Sequence, residues 1–373
     1  MGHHDLPHDD HVALFQSWPK AELHLHLDGS LRPQTALELA RERGLDESLD
    51  LAGITARLEA PEQCRDQAEL LKAFELPVAL MQDADALERI THELVEDIAS
   101  DGTRYAEIRW APALHLAGGL DLRTSIAAVV RGARSGMAAA VQRCEVRLIA
   151  TAMRSHPPQM SRAVANEAGR FIDQGLTGFD MAGPEEAYPD PSLHADAFAL
   201  ARSAGLGITL HAGEWGGAAQ VWRALDLGPA RIAHGAPAAE DPALMRELIA
   251  RGVTLDLCPT SNVQARIVPT LADHPLPYLA RAGVPVTLST DDRTVSRLTL
   301  VEEYLRAHEI LGLAAPELWR INQHALRVAF LHHDEGLRRR LLIEFEDFAA
   351  RNPQLGAETG RGDGAETGTG GFA

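Results

Sequence analysis

The sequence predicts an α/β fold, a single (β/α)8 (TIM) barrel, on three observations. Eight short apolar runs alternate with helical patterns, glycines follow several of the helices, and polar residues gather at the ends of the runs. The runs are 21–27, 105–110, 146–153, 178–181, 207–211, 230–234, 254–257 and 286–290. Short apolar runs suit strands covered on both faces of a parallel sheet. Helical periodicity fills the intervals, for example at 87–100, 160–174, 193–204, 218–225 and 242–251. Gly205, Gly228 and Gly252 stand where a left-handed residue commonly ends a helix. Eight strands with intervening helices predict a closed barrel. An open doubly wound sheet would carry a glycine-rich phosphate turn after its first strand, and Gly29 alone does not make one.

The 373 residues are 45% hydrophobic, enough for a large core, and α/β barrels of this length commonly form one domain. The expected organisation is a flexible leader over 1–17, one barrel domain over 18–350 and a disordered Gly/Thr-rich tail over 351–373. The tail repeats Gly-Ala-Glu-Thr-Gly at 356–360 and 364–368 and has little to bury. His3, His4, His8 and His11 fit a polar arm better than a metal site. A net charge of −18 argues against a nucleic-acid partner. Cys64, Cys144 and Cys258 are odd in number and form no CxxC pair, which suits a reduced, cytoplasmic protein. Residues 1–10 lack the basic start and apolar core of a signal peptide. No run approaches the roughly 18 apolar residues of a membrane span.

The first run reads Ala-Glu-Leu-His-Leu-His-Leu-Asp-Gly over 21–29. On a strand, His24 and His26 project from the same face. Neutral imidazole is a favoured ligand for zinc and similar divalent metals. Two histidines on a polar strand face are more often solvated than metallated, but the later strand ends shift that balance. They carry Met-Ala-Gly (181–183), His-Ala-Gly-Glu (211–214), His-Gly (234–235) and Ser-Thr-Asp-Asp (289–292). In a barrel, catalytic groups sit at these C-terminal strand ends.

Together the pieces resemble the adenosine deaminase branch of the metal-dependent amidohydrolases. HLHLDG at 24–29, HAGE at 211–214, AHG at 233–235, CPTSN at 258–262 and STDD at 289–292 follow the family's order over roughly 18–348. The other zinc deaminase pattern, H-x-E with P-C-x-x-C, is missing. The resemblance implies one Zn2+ per chain, held by His24, His26, His211 and Asp291. Zinc would lower the pKa of water from about 15.7 toward 7. His234 would orient the attacking oxygen and act in proton transfer, while Glu214 would donate a proton to N1 of the purine. Glu214 would need a raised pKa for that task. The resemblance further implies that Asp292 accepts a hydrogen bond from a protonated N7 and that the Gly183 backbone N–H reaches N3. Asp28 would hold the ribose 5′-hydroxyl, with His26 also facing the substrate. The segment 69–81 resembles the family's apolar flap, with Leu71 and Phe74 toward the ribose; ordinary core packing accounts for both residues equally well.

The expected reaction is hydrolytic deamination of a purine nucleoside, adenosine or 2′-deoxyadenosine, at its 6-amino group, giving the 6-oxo product and ammonia. One departure bears on substrate: many members follow the Asp-Asp pair with Pro, and this chain has Arg293. An arginine at the rim would suit an anion, although a supporting or surface role is the plainer reading. The alternative substrate is aminodeoxyfutalosine, which shares the 6-aminopurine but carries a 5′-linked benzoate in place of the 5′-hydroxyl. Adenine ranks third, because adenine deaminases commonly have Glu where Asp28 stands. A non-catalytic nucleoside-binding relative would typically lose a ligand or the acid. Glu214 also suits a helix cap, Cys258 a buried inert thiol, and Ser261 and Asn262 either a part in shaping the pocket or a turn. His115, His194, His274, His324, His332 and His333 read as surface or helix-packing residues, and His156 has no assigned role. Either a monomer or a homodimer is compatible with the sequence.

Overall fold

The computed structural model describes residues 8–45 and 48–356. Eight parallel strands run in sequence order: β1 (Lys20–His26), β2 (Thr103–Trp110), β3 (Glu145–Met153), β4 (Leu176–Ala182), β5 (Gly207–Ala212), β6 (Arg231–His234), β7 (Thr254–Leu257) and β8 (Val286–Leu288). Each pairs with the next, and helices fill the crossovers, as a barrel requires. The expected strands are present with shifted ends. β8 stops two residues early because its chain crosses to β1. Thr290 N–H turns to the Glu22 carboxylate at 2.9 Å, and Asp291 N–H donates to His24 O at 3.0 Å. His26 N–H returns to Asp291 O at 2.7 Å. These bonds close the circle, so closure itself seats Asp291 between two histidines.

The outer helices start where the sequence supplies caps. Asp83, Asp121 and Asp241 each accept a backbone N–H in the first turn of the helices Ala84–Ser100, Leu122–Ala139 and Pro242–Arg251. The first of these buries Leu87, Ile90, Leu94 and Ile98, a stripe at helical spacing. The segment 69–81 is not one helix. It breaks into Gln67–Leu71, a 3-10 turn at Lys72–Phe74 and Glu75–Leu80.

Two expectations at the ends need correction. Residues 8–17 of the expected flexible leader form a helix, His8–Ser17. It is anchored by Phe15, buried 5.0 Å from the Trp18 ring and 6.0 Å from Tyr304. Burial of one aromatic side chain stabilises by about 1.5–3 kcal/mol, and this offset was hidden in a histidine-rich stretch. At the other end, the helix Glu335–Arg351 is followed by a 3-10 turn, Pro353–Gly356, with Leu355 buried. Residues 1–7 and 357–373 lie outside the described residues.

The barrel interior beneath the mouth is charged. Arg231 pairs with Glu107 and, at 3.0 Å, with Asp256. Arg109 donates to Asp180 at 3.2 Å and to Leu23 O at 2.8 Å. Buried ions keep their charge only when paired and hydrogen-bonded. No helix among the described residues is long and apolar enough to cross a membrane.

Candidate metal and substrate site

Four ligand atoms converge at the C-terminal mouth. His24, His26, His211 and Asp291 bring ring nitrogens and a carboxylate oxygen within 4.8 Å of one another. His26 Nε2 lies 3.1 Å from His211 Nε2, and Asp291 Oδ1 lies 2.9 Å from His24 Nε2 and 3.4 Å from His26 Nε2. His24 Nδ1 has no hydrogen-bond partner, although the ring is fully buried, and its Nε2 faces only the Asp291 carboxylate. Two imidazole nitrogens facing each other and a third without a partner are costly in a protein interior. A cation among them removes the cost, so this donor set fits a divalent metal of the zinc type.

The ligands are held from behind. Asp180, at the middle of β4, faces His211 Nδ1 with its two oxygens at 3.0 and 3.2 Å. Burial would raise the Asp180 pKa, but the adjacent His211 and Arg109 charges outweigh burial and hold it well below the usual carboxylate range. Ser261 donates from Oγ to Asp291 Oδ2 at 2.7 Å, so it is more than a turn former. Burial likewise opposes ionisation of Asp291, and His24 and His234 overcome it. Burial lowers the pKa of three of the rings, His24 well below its ordinary value, His26 to about 3 and His234 to about 4. Neutral rings are what a metal needs. His234 and Asp291 both have left-handed backbone, with φ of 67° each. Such strain in non-glycine residues gathers at functional sites.

Beside this cluster sits a carboxylic acid. Glu214 Oε1 lies 3.9 Å from His234 Nε2. Burial, then the Asp291 and Glu185 carboxylates, raise its pKa well above the usual range. Glu214 does not cap the following helix, Gly217–Leu225, whose N-cap Gly216 lacks a side-chain bond. Glu185 organises that turn instead, accepting Gly213 N–H at 3.0 Å and Trp215 and Gly216 N–H at 2.9 Å each. Arg154 joins it from β3, donating to His211 O at 2.7 Å and lying 3.6 Å from Glu185.

His26, Asp28, Gly183, His211, Glu214, His234, Asp291 and Asp292 line one cavity, with Leu71 and Phe74 over it. Val78, Leu114, Met153 and Trp215 complete an apolar wall. Asp292 lies against Gly29, where an added Cβ would fall 1.7 Å from Asp292 Oδ1; only glycine fits. Gly183 has φ +108°, again a glycine conformation. Burial raises Asp28 to about 6 and, with the Asp291 and Asp28 carboxylates, lifts Asp292 well above the carboxylate range.

Arg293 is not part of this cavity. It is buried away from the mouth and donates to Asp101 at 2.5 Å, with Glu22 at 4.0 Å. Its place in the scaffold removes the rim-arginine reading. His274 also departs from expectation: it is buried and bonded to Asn262, not a surface residue. Cys258 is buried, and burial pushes its thiol up, as expected of an inert cysteine.

Asp180, Arg154 and Glu185 support the site with no expectation placed on them by the sequence, and Asn262 and His274 bond behind it. Asp180 left a signal, a lone charge inside an apolar strand; Glu185 left none beyond following Gly183 by two residues.

A family model for adenosine deaminase matches residues 19–346. The adenosine deaminase of Mycobacteroides abscessus is 41% identical over 349 residues, covering 88% of this chain and 94% of that protein. The chain belongs to the adenosine deaminase family. The family is metal-dependent and hydrolyses C–N bonds. Among solved structures, Arabidopsis ADAL in complex with IMP has a TM-score of 0.80 at 29% identity, covering 91% of this chain and 99% of that one. An amidohydrolase from Burkholderia ambifaria with bound zinc has a TM-score of 0.81 at 26% identity, covering 93% and 95%.

Proposed function

We propose that this chain is a zinc-dependent deaminase that converts adenosine and 2′-deoxyadenosine to the 6-oxo nucleosides and ammonia. The observation that carries the reading is the largely buried Glu214, its pKa raised well above the carboxylate range, beside a three-imidazole, one-carboxylate cluster. His24, His26, His211 and Asp291 would hold one zinc ion. When bound, zinc supplies Lewis-acid chemistry, lowering the pKa of water from about 15.7 toward 7. His234 orients the attacking oxygen. Glu214 gives its proton to N1, which draws electron density from C6 and opens it to attack. The family's zinc-bound and purine-bound neighbours support the assignment.

The same cavity fixes the purine's edge. Asp292 lines this cavity and would hydrogen-bond with N7. The Gly183 N–H meets N3, and Asp28, whose Oδ1 is buried without a hydrogen bond, takes the 5′-hydroxyl. Among the described residues no Lys or Arg lines the cavity. A 5′-carboxylate or 5′-phosphate would meet Asp28 and no Lys or Arg among the described lining residues, which disfavours aminodeoxyfutalosine and nucleotides. The apolar flap has work to do only if a ribose is present, which places adenine behind the nucleosides. We further propose that the enzyme acts in the cytoplasm. Adenosine turnover, followed by ultraviolet absorbance, should be lost on chelation and restored by one equivalent of zinc. Turnover that survives complete metal removal contradicts the reading.

A further inference from the structure

Behind the site, Asn262 and His274 form hydrogen bonds that have only one consistent direction. Leu276 opens the helix Leu276–Arg281, so its backbone N–H lacks a partner within that helix. It donates to His274 Nδ1 at 3.1 Å. A backbone amide can only donate, so His274 Nδ1 carries no proton and the ring proton sits on Nε2. Burial lowers the His274 pKa to about 3, which keeps the ring neutral as this bond requires. His274 Nε2 lies 3.0 Å from Asn262 Oδ1, which accepts from it. The other end of the amide, Nδ2, then faces His234 Nδ1 at 3.0 Å and donates to it. His234 Nδ1 is the acceptor, and its proton belongs on Nε2. That nitrogen lies 3.8 Å from Asp291 Oδ2 and 3.9 Å from Glu214 Oε1.

We propose that His274 and Asn262 are positioning residues that lock His234 in the Nε2–H tautomer, so that it meets the reacting oxygen as a hydrogen-bond donor. The inference rests on the part given to His234 in the proposed reaction and deepens it. Reversing the Asn262 amide would set its NH2 against His274 Nε2–H, two donors face to face. The other His274 tautomer is blocked by Leu276 N–H. All three side chains are 3% exposed or less, so water does not offer a substitute partner. A proton arriving at His234 Nδ1 would meet the Asn262 NH2 group. The chain of bonds therefore opposes the imidazolium and the reversed tautomer alike.

The test uses the zinc-loaded full chain labelled with 15N-histidine. Long-range 1H–15N spectra read which ring nitrogen of His234 is protonated, with its signals assigned by their loss in His234→Gln. The expected spectrum has Nε2 protonated and Nδ1 bare. Asn262→Asp keeps the size of the side chain but can only accept, so it should switch His234 to Nδ1–H. Its kcat for adenosine should fall by at least about tenfold while KM changes by less than about twofold. His274→Gln retains a donor toward Asn262 Oδ1 and should keep both the Nε2–H tautomer and kcat within about threefold of the unmodified chain. A His234 that carries its proton on Nδ1 in the unmodified chain overturns the proposal, as does an Asn262→Asp protein with unchanged His234 signals. The spectra need no turnover. Predicted tautomers in a chain that failed to deaminate adenosine would refute the activity and leave this inference standing.

Discussion

In the proposed reaction Glu214 would have two requirements that conflict in water: it must lie next to a reacting nitrogen and remain protonated near neutral pH. The fold resolves the conflict by burial and by the Asp291 and Glu185 carboxylates around it. Glu214→Gln keeps the shape but cannot deliver a proton. Its kcat should fall by about 10²- to 10⁴-fold, with one zinc per chain retained by elemental analysis. Near-normal turnover would transfer the acid role to another residue. The residues of the candidate cluster and Glu214 were legible in the sequence because their motifs place scarce residue types at strand ends. Their supports were not. His274 sits 12 residues beyond Asn262 and reaches it only because a loop returns across the barrel mouth. Arg293 misled in the opposite sense: it neighbours two site aspartates, yet its long side chain turns away to Asp101.

The short helix Pro259–Gln264 carries Ser261 and Asn262 and is pinned by Glu303 on the helix Leu300–Glu309. Glu303 accepts Thr260 N–H at 2.9 Å and its hydroxyl at 2.5 Å. Burial raises the Glu303 pKa from the ordinary 4.5 to about 7. With the folded value above the unfolded one, its contribution to stability is full below about pH 4.5 and lost as pH rises through about 7. The swing is at most about 3 kcal/mol. Urea unfolding of the unmodified chain and Glu303→Gln across this range should show the variant gaining relative stability as pH rises. A difference independent of pH would contradict the protonated Glu303. Element by element, the strands were legible from apolar runs between helices. Their ends were less so, because the last residues of β8 serve barrel closure. The break of 69–81 into three pieces was also hidden, since a helical period does not reveal where a flap must bend.

At the level of the barrel, closure and catalysis share the same bonds, and a buried ion network fills the space beneath them. Glu107 joins Arg231, the Phe330 N–H at 2.5 Å and the Tyr105 hydroxyl at 2.8 Å. Removing one partner leaves the others charged or unbonded in a dry interior. Glu107→Gln should therefore cost about 3–5 kcal/mol in chemical unfolding. A cost under about 1 kcal/mol would mean that water or a rearranged pair takes its place. The overall architecture was readable because alternation of strands and helices leaves few topologies. The charged interior was not, because each of its members looks like an isolated polar residue in an apolar strand until the eight strands meet.

In the proposed deaminase the cavity would accept a neutral 5′-hydroxyl and reject an anion there. The most direct test compares kcat/KM for adenosine, AMP, aminodeoxyfutalosine and adenine with one zinc-loaded preparation. Adenosine should lead, ahead of AMP by on the order of 10²-fold or more, since a buried anion without a cation partner is strongly disfavoured. Equal or better turnover of AMP or aminodeoxyfutalosine would contradict the account and require a cation to reach the mouth.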